Sequence, residues 1–243
     1  MAKLTGPTTI TQFDTMKSSS SKMHKLGQLG QTSDGRKFRY CRAGAGALVT
    51  GDCYSSAGQD AQFQTMAVSA NVAIGGTVIG VTNGTTTVAA NDFDEGFLMV
   101  SSGTGIGQSS KITSHTTGIS GAAIYYTIED PLKVAITAAS SKITVIKNPY
   151  DDVVIQAVTP VAQTAGIASL AIPATYYGWL QTGGPAACLF DASVCAVDTL
   201  GVAGSTTTAG AVRVAAAGTE YIGSAMQVVP VSAYVCPVFL TLD

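Results

Sequence analysis

The sequence predicts an all-β protein with an N-terminal arm, a barrel or sandwich base, and a second β domain inserted into it. Two observations support this fold class. Short runs of alternating apolar and polar residues recur about every ten residues, and Gly, Asn, Asp and Pro separate them, as in sandwiches and barrels. No amphipathic helical pattern of useful length interrupts them. At 243 residues the chain can form one large β domain or two smaller ones, either with a real core.

Residues 1–33 are predicted to form an extended arm, ordered by whatever it touches. Their periodicity is weak, and they allow at most one short helix within 10–23. From Asp34 the pattern changes, because the Asp34-Gly35 pair is typical of a tight turn and alternation follows over 38–43. Residues 34–60 and 165–243 are assigned to the base domain, with a second strand over 47–54.

Residues 61–164 are assigned to the inserted domain, which is expected to face outward. Turn pairs such as Asn83-Gly84 and Asn148-Pro149 separate its short alternating runs. The predicted strands are 76–81, 86–90, 96–100, 111–114, 123–128, 143–146 and 153–158.

The stretch 176–190, YYGWLQTGGPAACLF, contains Trp179, the only tryptophan. Tyr177, Trp179 and Gln181 alternate as on one face of a strand, and Gly183-Gly184-Pro185 offers turn chemistry. The stretch is therefore predicted to be a hairpin whose aromatic residues cover a core. Three further strands are predicted over 211–216, 221–229 and 233–242, and Pro237 marks an edge or bulge in the last.

Charge is sparse and unevenly distributed. Charged residues make up 12% of the chain, about half the usual share, which indicates a surface that contacts other protein; a Ser/Thr-rich extracellular or thermally robust β protein is the alternative. The first 42 residues hold eight of the thirteen Lys and Arg and two of the fifteen acidic residues, a net +6, which leaves −8 on the remainder. A basic arm on an acidic body favours docking to an acidic protein surface over nucleic acid or lipid.

Catalytic and metal-binding patterns find little support. The five cysteines form no C-x-x-C pair, and the start of the chain lacks an apolar signal core, so we expect reduced thiols in a protein made in a cytoplasm without a membrane span. The two histidines have no metal-ligand spacing. The loop 103–107 and the acidic turn 92–96 only partly match nucleotide and calcium loops. These patterns therefore predict no cofactor and no catalytic or metal site, although paired carboxylates of the kind that hydrolyse glycosides are not excluded.

Four collinear stretches resemble the cement, or head decoration, proteins of tailed bacteriophages. They are HKLGQLGQTSDGRKFRYCRAGAGALVTGD, GFLMVSSGTGIGQSSKITSH, IEDPLKVAI with KNPYDDVVI, and YYGWLQTGGPAACLFDAS. The resemblance covers about residues 24–243, and Ser109 departs from it where an aromatic residue is expected. It implies a virion protein that binds the outside of the capsid, commonly as a homotrimer, and joins neighbouring major capsid proteins against internal DNA pressure.

Charge and aromatic placement supply candidate contact residues for such a role. The predicted capsid-docking residues are Lys17, Lys22, Lys25, Arg36, Phe38 and Arg39. The predicted core or trimer-seam residues are Tyr177, Trp179 and Phe239. Two other functions stay open. One is a tail or surface module that recognises a host glycan. The other is a capsule-degrading hydrolase, which the small number of aspartate and glutamate residues disfavours.

Overall fold

The computed structural model describes residues 7–159, 162–191, 202–216, 220–228 and 234–243, and it confirms an all-β fold. The chain divides into two compact units. The first comprises residues up to Ala57 together with those from Pro149, and the second comprises Gly58–Asn148. We call them the base unit and the barrel unit.

The described elements are mostly short strands, with one helix of four residues and one 3₁₀ turn at Ala61–Phe63. In chain order they are β1 Thr8–Thr9, α1 Gln12–Thr15, β2 Leu29–Gln31, β3 Lys37–Arg42, β4 Cys53–Ser55, β5 Met66–Ala67, β6 Val78–Thr82, β7 Phe97–Ser102, β8 Ser109–His115, β9 Ala123–Ile128, β10 Lys142–Ile146, β11 Val154–Ile155, β12 Thr164–Ala168, β13 Tyr177–Leu189, β14 Val202–Gly204, β15 Val212–Val214, β16 Gly223–Ala225 and β17 Val235–Thr241.

The long strand β13 is the centre of the base unit. Its first half pairs antiparallel with β3, its second half pairs with β17, and β12 joins it at Leu180 and Gln181. The sheet order from one end is β1-β2-β3-β13-β17-β16-β14-β15, and β12 links β13 to β4 and β11. One strand therefore holds together segments from both ends of the chain.

The predicted hairpin over 176–190 is wrong, because this stretch is one continuous strand. The turn residues form an irregularity in the pairing with β3 between Gln181 and Gly183, and Gly184 has a φ of +80°. The Gln181 side chain donates to the carbonyls of Gly183 and Pro185, at 3.2 and 2.7 Å. Pro185 stands opposite Phe239 of β17. The glycines thus bend a strand that has partners on both sides of the bend.

The N-terminal segment, residues 7–33, lies against this sheet. β1 pairs parallel with β2, and Ser19 forms a bridge with Tyr177. The helix is short, although Thr11 and Asp14 form a reciprocal capping box at its start. A hydrophobic cluster fixes the segment to the strands, and its buried members are Ile10, Leu26, Phe38, Tyr40 and Trp179.

Two other base strands differ from their predictions. Of the predicted strand over 47–54, only Cys53 and Tyr54 belong to a strand, β4, and Leu48 makes a single bridge to Ile172. The predicted strand over 153–158 reduces to β11, which pairs with β4 of the base unit. The boundary at 164 predicted for the inserted domain thus lies beyond the end of the barrel unit at Asn148.

The barrel unit is an antiparallel sheet in the order β5-β10-β7-β8-β9-β6. A bridge between Val68 and Val81 joins its two ends, so the sheet forms a nearly closed barrel. Alternate residues of each strand point inward, as in β9, where Ile124, Tyr126 and Ile128 are buried. Residues 86–90, predicted as a strand, contribute only a bridge from Val88 to Gly118.

His115 is a structural residue of this barrel. Its Nε2 accepts a hydrogen bond from the Phe93 backbone N–H at 2.9 Å, and its Nδ1 lies 2.8 Å from the Thr116 carbonyl oxygen. These two contacts fit a ring in which Nε2 is the acceptor and Nδ1 donates to the Thr116 carbonyl. It is buried beside Phe93 and Tyr126, at ring-centroid distances of 5.6 and 5.1 Å.

Replacing Gly30 by Val is expected to destabilise the base unit by about 1–3 kcal/mol, because it overpacks the Trp179 cluster. A Cβ at position 30 would lie 2.6 Å from Ile10 Cδ1 and 2.8 Å from Trp179 Cζ3. Denaturant unfolding followed by Trp179 fluorescence measures the change. Gly46→Val is the control, since a Cβ there meets no atom within 4 Å. Equal stability of the two variants would contradict the packing described.

Candidate interaction surface

Phe38 is a core residue, so the prediction that it contacts a capsid is wrong. Its side chain is fully buried in the cluster with Trp179. Alternation along β3 placed Phe38 and Tyr40 on the same side of the strand, and that side faces the N-terminal segment. A buried ring cannot contact another protein while the unit is folded.

The two predicted docking arginines are bound to carboxylates of the same unit. Arg39 donates to both Asp243 oxygens, at 2.9 and 2.6 Å, and to the Gly27 carbonyl at 2.8 Å. This bond from Arg39 lowers the pKa of Asp243, and the pKa of Arg39 is raised in turn. Arg36 pairs with Asp34 at 2.9 Å. Both guanidinium groups are half-buried and contribute to intramolecular pairing.

A third pairing of this kind involves Arg42, which sequence reasoning did not single out. Its guanidinium bonds Asp151 at 2.7 Å and Asp152 at 2.8 Å. The basic charge of the first 42 residues is thus partly neutralised by acids from the distant part of the chain. Only the fold brings Arg42 and these aspartates together, since more than a hundred residues separate them.

The lysines differ from the arginines in exposure. Lys17 is exposed, pairs with Asp14 at 3.1 Å and lies 4.2 Å above the Phe13 ring. Hydrogen bonds from Thr11, above all from its side chain, lower the pKa of Asp14 to about 2. An exposed pair of this kind contributes little to stability. Lys22 and Lys25 are also exposed.

Large apolar side chains stand exposed in the same segment. Phe13 is 71% and Met23 is 68% accessible, and Met16 is also exposed. We define the N-terminal face as Phe13, Met16, Lys17, Lys22, Met23 and Lys25. Methionine side chains are flexible and polarisable, which suits them to contact with an irregular partner surface. The N-terminal face therefore combines positive charge with adaptable apolar area.

The backbone beneath this face is held by several contacts. The Met23 N–H donates to the Tyr40 hydroxyl at 3.1 Å, and the His24 ring lies 5.0 Å from Tyr40 and 5.2 Å from Trp179. Ser19 and Tyr177 exchange backbone hydrogen bonds at 3.0 and 2.8 Å. The face is consequently presented on an ordered support.

The three predicted core or seam residues occupy different environments. Trp179 is buried, and Tyr177 is half-buried and stacks on Tyr40 with 6.1 Å between ring centroids. Phe239 is 45% accessible and is not a core residue. It lies on the outer side of β17, between Pro185 of β13 and Ser224 of β16.

Phe239 belongs to an uncharged exposed surface, which we call the β17 face. Along β17 the buried and exposed residues alternate, with Cys236, Val238 and Leu240 facing the core. The outward residues of β17, of β16 and of the second half of β13 contain no ionisable side chain; they are Pro185, Ala187, Leu189, Ser224, Val235, Pro237, Phe239 and Thr241. Contiguous exposed apolar area of this kind is typical of an interaction site.

The described residues offer little reactive chemistry. Burial raises the pKa of the Cys41 and Cys53 thiols to about 12, so neither is a ready nucleophile. Cys195 lies outside the described residues. Within those residues no group of three or more His, Cys, Asp or Glu side chains is arranged to hold a metal ion. In the acidic turn, Asp92 pairs with Lys147 at 3.0 Å.

Comparisons with family models, with curated proteins and with solved structures gave no match. Among the described residues, no helix has the length and apolar character needed to cross a membrane.

Replacing Asp243 by Asn is expected to destabilise the base unit by about 1 kcal/mol at pH 7, through loss of the paired bond with Arg39. Because the folded-state pKa of Asp243 is lowered, its contribution is present above the ordinary carboxyl pKa and is lost as pH falls through the folded value. The difference between wild type and variant should therefore shrink below about pH 4. Denaturant unfolding from pH 3 to 7 measures it. Glu129→Gln, an exposed change in the barrel unit, is the control; a difference independent of pH would contradict the assignment.

Proposed function

We propose that this protein is a non-enzymatic decoration protein that binds the outer surface of a tailed-phage capsid and joins neighbouring major capsid proteins. Its location would be the virion exterior, after synthesis in the host cytoplasm. The resemblance of four collinear stretches to cement proteins supports this proposal. The observation that carries it structurally is the N-terminal face, an exposed cationic and apolar surface on an ordered support.

The chemistry of the N-terminal face fits an acidic partner with apolar area of its own. Opposite charges steer association and fix orientation, while buried apolar side chains slow dissociation. Phe13 and Met23 offer the apolar area, and Lys22 and Lys25 lie beside Met23 in the sequence. Arg36 and Arg39 then act indirectly in this proposal, by holding the strand and turn next to the segment.

The β17 face fits a second role, contact between copies of the protein. An uncharged apolar surface is matched best by another apolar surface, and a homotrimer would supply one. A trimer would also present three N-terminal faces to several capsid subunits. Linked binding of this kind raises the overall affinity well above that of each contact, so modest individual surfaces suffice.

The second candidate function is recognition of a host glycan by the barrel unit. Exposed Tyr125 favours it, because its ring lies close over the backbone of Gly80 and leaves aromatic surface open to solvent. Such a ring can stack on a sugar. A glycan-binding role on the tail or at a vertex would require only a few copies per particle, which separates it from the capsid role.

In vitro decoration of capsids tests the proposal. Purified protein is added to heads that lack it, and bound copies per major capsid protein are counted by quantitative mass spectrometry. We expect saturation at one copy per capsid subunit, or at a simple fraction such as one third. Saturation at a handful of copies per head would overturn the capsid role and favour the glycan candidate.

The double variant Lys22→Glu, Lys25→Glu tests the N-terminal face in the same assay. We expect its affinity for heads to fall at least about tenfold, because attraction to an acidic partner becomes repulsion. Lys111→Glu, Lys133→Glu makes the same change in net charge on the barrel unit and should bind as the wild type does. Equal binding by both double variants would place the contact elsewhere.

Phe239→Glu tests the β17 face. We expect the wild type to sediment as a trimer and this variant as a monomer, because a carboxylate would be buried unpaired at the seam. Analytical ultracentrifugation measures both. Tyr125→Glu, at an exposed aromatic residue of the barrel unit, should leave the trimer intact. A trimeric Phe239→Glu protein would show that the seam lies elsewhere.

A further inference from the structure

Two cysteines stand directly opposite each other in the base unit. Cys188 of β13 and Cys236 of β17 are register partners in the antiparallel pairing of these strands. Both side chains are buried in the same hydrophobic cluster, so they point to the same side of the sheet. Both are free thiols. The fold thus places two thiols from distant parts of the sequence side by side.

The spacing of the two strands suits a disulfide bond. Directly opposite residues of an antiparallel pair have Cα atoms about 4.5–5.5 Å apart, and Cα atoms joined by a disulfide lie about 4.4–6.8 Å apart. Opposite Cβ atoms are separated by about 4.5–5.5 Å, whereas a disulfide needs about 3.5–4.5 Å. Closing a bond between Cys188 and Cys236 therefore requires the two strands to approach by about 1 Å.

The start of β17 is the part of the strand that can make this movement. β16 pairs with β17 over Val238–Leu240. Among the described residues, Val235 and Cys236 have strand partners in β13 alone. A shift of Cys236 toward β13 therefore requires no break in the pairing with β16. A local opening of this end of the strand also gives a small oxidant access to the Cys236 thiol.

The other cysteines are less well placed for such a bond. Cys41 belongs to a different cluster and stands opposite Gly178. Cys53 belongs to the same cluster as Cys188 and Cys236, but its register partner is Ile167 of β12. The strand register therefore singles out one pair among the described cysteines.

We propose that Cys188 and Cys236 form a cross-strand disulfide bond when the protein meets an oxidising medium, and that this bond fastens β17 to β13. The oxidant is a small-molecule disulfide. Cys236 displaces one thiol from it and forms a mixed disulfide, and Cys188 then attacks the Cys236 sulfur and displaces the second thiol. One S–S bond forms in the protein as the S–S bond of the oxidant breaks, and the two thiol protons pass to the released small thiols.

The order of attack follows from the surroundings of the two thiols. Burial above all, and then the neighbouring Cys53 and Cys236, raise the pKa of the Cys188 thiol well above its ordinary value, so Cys188 is a poor first nucleophile. Its attack in the second step is intramolecular, and the high effective concentration offsets this disadvantage.

The surroundings of the whole protein decide when the bond forms. A cytoplasm keeps thiols reduced, whereas the medium outside a cell does not. The bond therefore forms after the protein has left the cytoplasm. This inference goes beyond the proposed capsid role, and the chemistry of the two thiols does not depend on that role.

Treatment of the full-length protein with oxidised glutathione tests the assignment. After the incubation, free thiols are alkylated, and disulfides are mapped by mass spectrometry of a non-reduced digest. We expect one pair of peptides joined through Cys188 and Cys236, with Cys41 and Cys53 recovered as alkylated thiols. Free Cys188 and Cys236 thiols at the end of the incubation, or a bond from either to another cysteine, would overturn the proposal.

Two alanine variants test the order of attack. Cys188→Ala should accumulate glutathione on Cys236, because the thiol that completes the exchange is missing, whereas Cys236→Ala should carry none on Cys188. Cys53→Ala is the matched control at a buried cysteine of the same cluster, and it should form the bond as the wild type does. Glutathione found on Cys188 and not on Cys236 would overturn the order of attack.

The bond should also stabilise the base unit, since it closes a long loop in the unfolded chain. We expect the denaturant midpoint, followed by Trp179 fluorescence, to rise when the wild type is oxidised and to return after reduction with dithiothreitol. The same treatments should leave the midpoint of Cys236→Ala unchanged. A wild-type midpoint that does not rise on oxidation would show that the bond does not fasten β17 to β13.

Discussion

The base unit depends on the packing of Trp179 against the N-terminal segment. The indole lies over Gly30, where any larger residue would collide with it, and Ile10 closes the other side. Because Trp179 stands on β13, this contact connects the segment before residue 33 to the strand that pairs with β3, β12 and β17. The apolar contact therefore determines where the exposed residues of the segment lie, and the N-terminal face exists only because its opposite side is buried.

Charge shows the same dependence on tertiary structure. Most of the lysine and arginine residues lie at the start of the chain, and this asymmetry by itself favours docking to an acidic surface of another protein. In the folded base unit, Arg39 pairs with Asp243 and Arg42 pairs with Asp151. Part of the positive charge is therefore neutralised within the protein. The lysines of the N-terminal face are more exposed than these arginines, although Lys17 pairs with Asp14.

Local patterns predicted the strands well where pairing is local. The strand over 123–128 has the predicted bounds, since its alternation and both neighbours lie within the barrel unit. The hairpin prediction failed because Gly183 and Gly184 are compatible with either a turn or a bulge. The choice is decided by β17, fifty residues away, where Phe239 stands opposite Pro185. The alternation of side chains along β3 also placed Phe38 and Tyr40 on the same side of the strand. It could not indicate which side of the strand would be buried in the folded unit.

The outward residues of β13, β16 and β17 that form the β17 face carry no ionisable side chain. Exposed sheet surfaces usually carry charges, particularly lysine, that discourage association. Here β13 contributes Pro185 and Ala187, and β17 contributes Val235 and Phe239, without one ionisable group among them. Lys37 of the neighbouring strand β3 lies against Gly183 of β13 and borders this face. Contact between copies, as proposed above, would use a face with little charge, and in that proposal the N-terminal face serves a different partner.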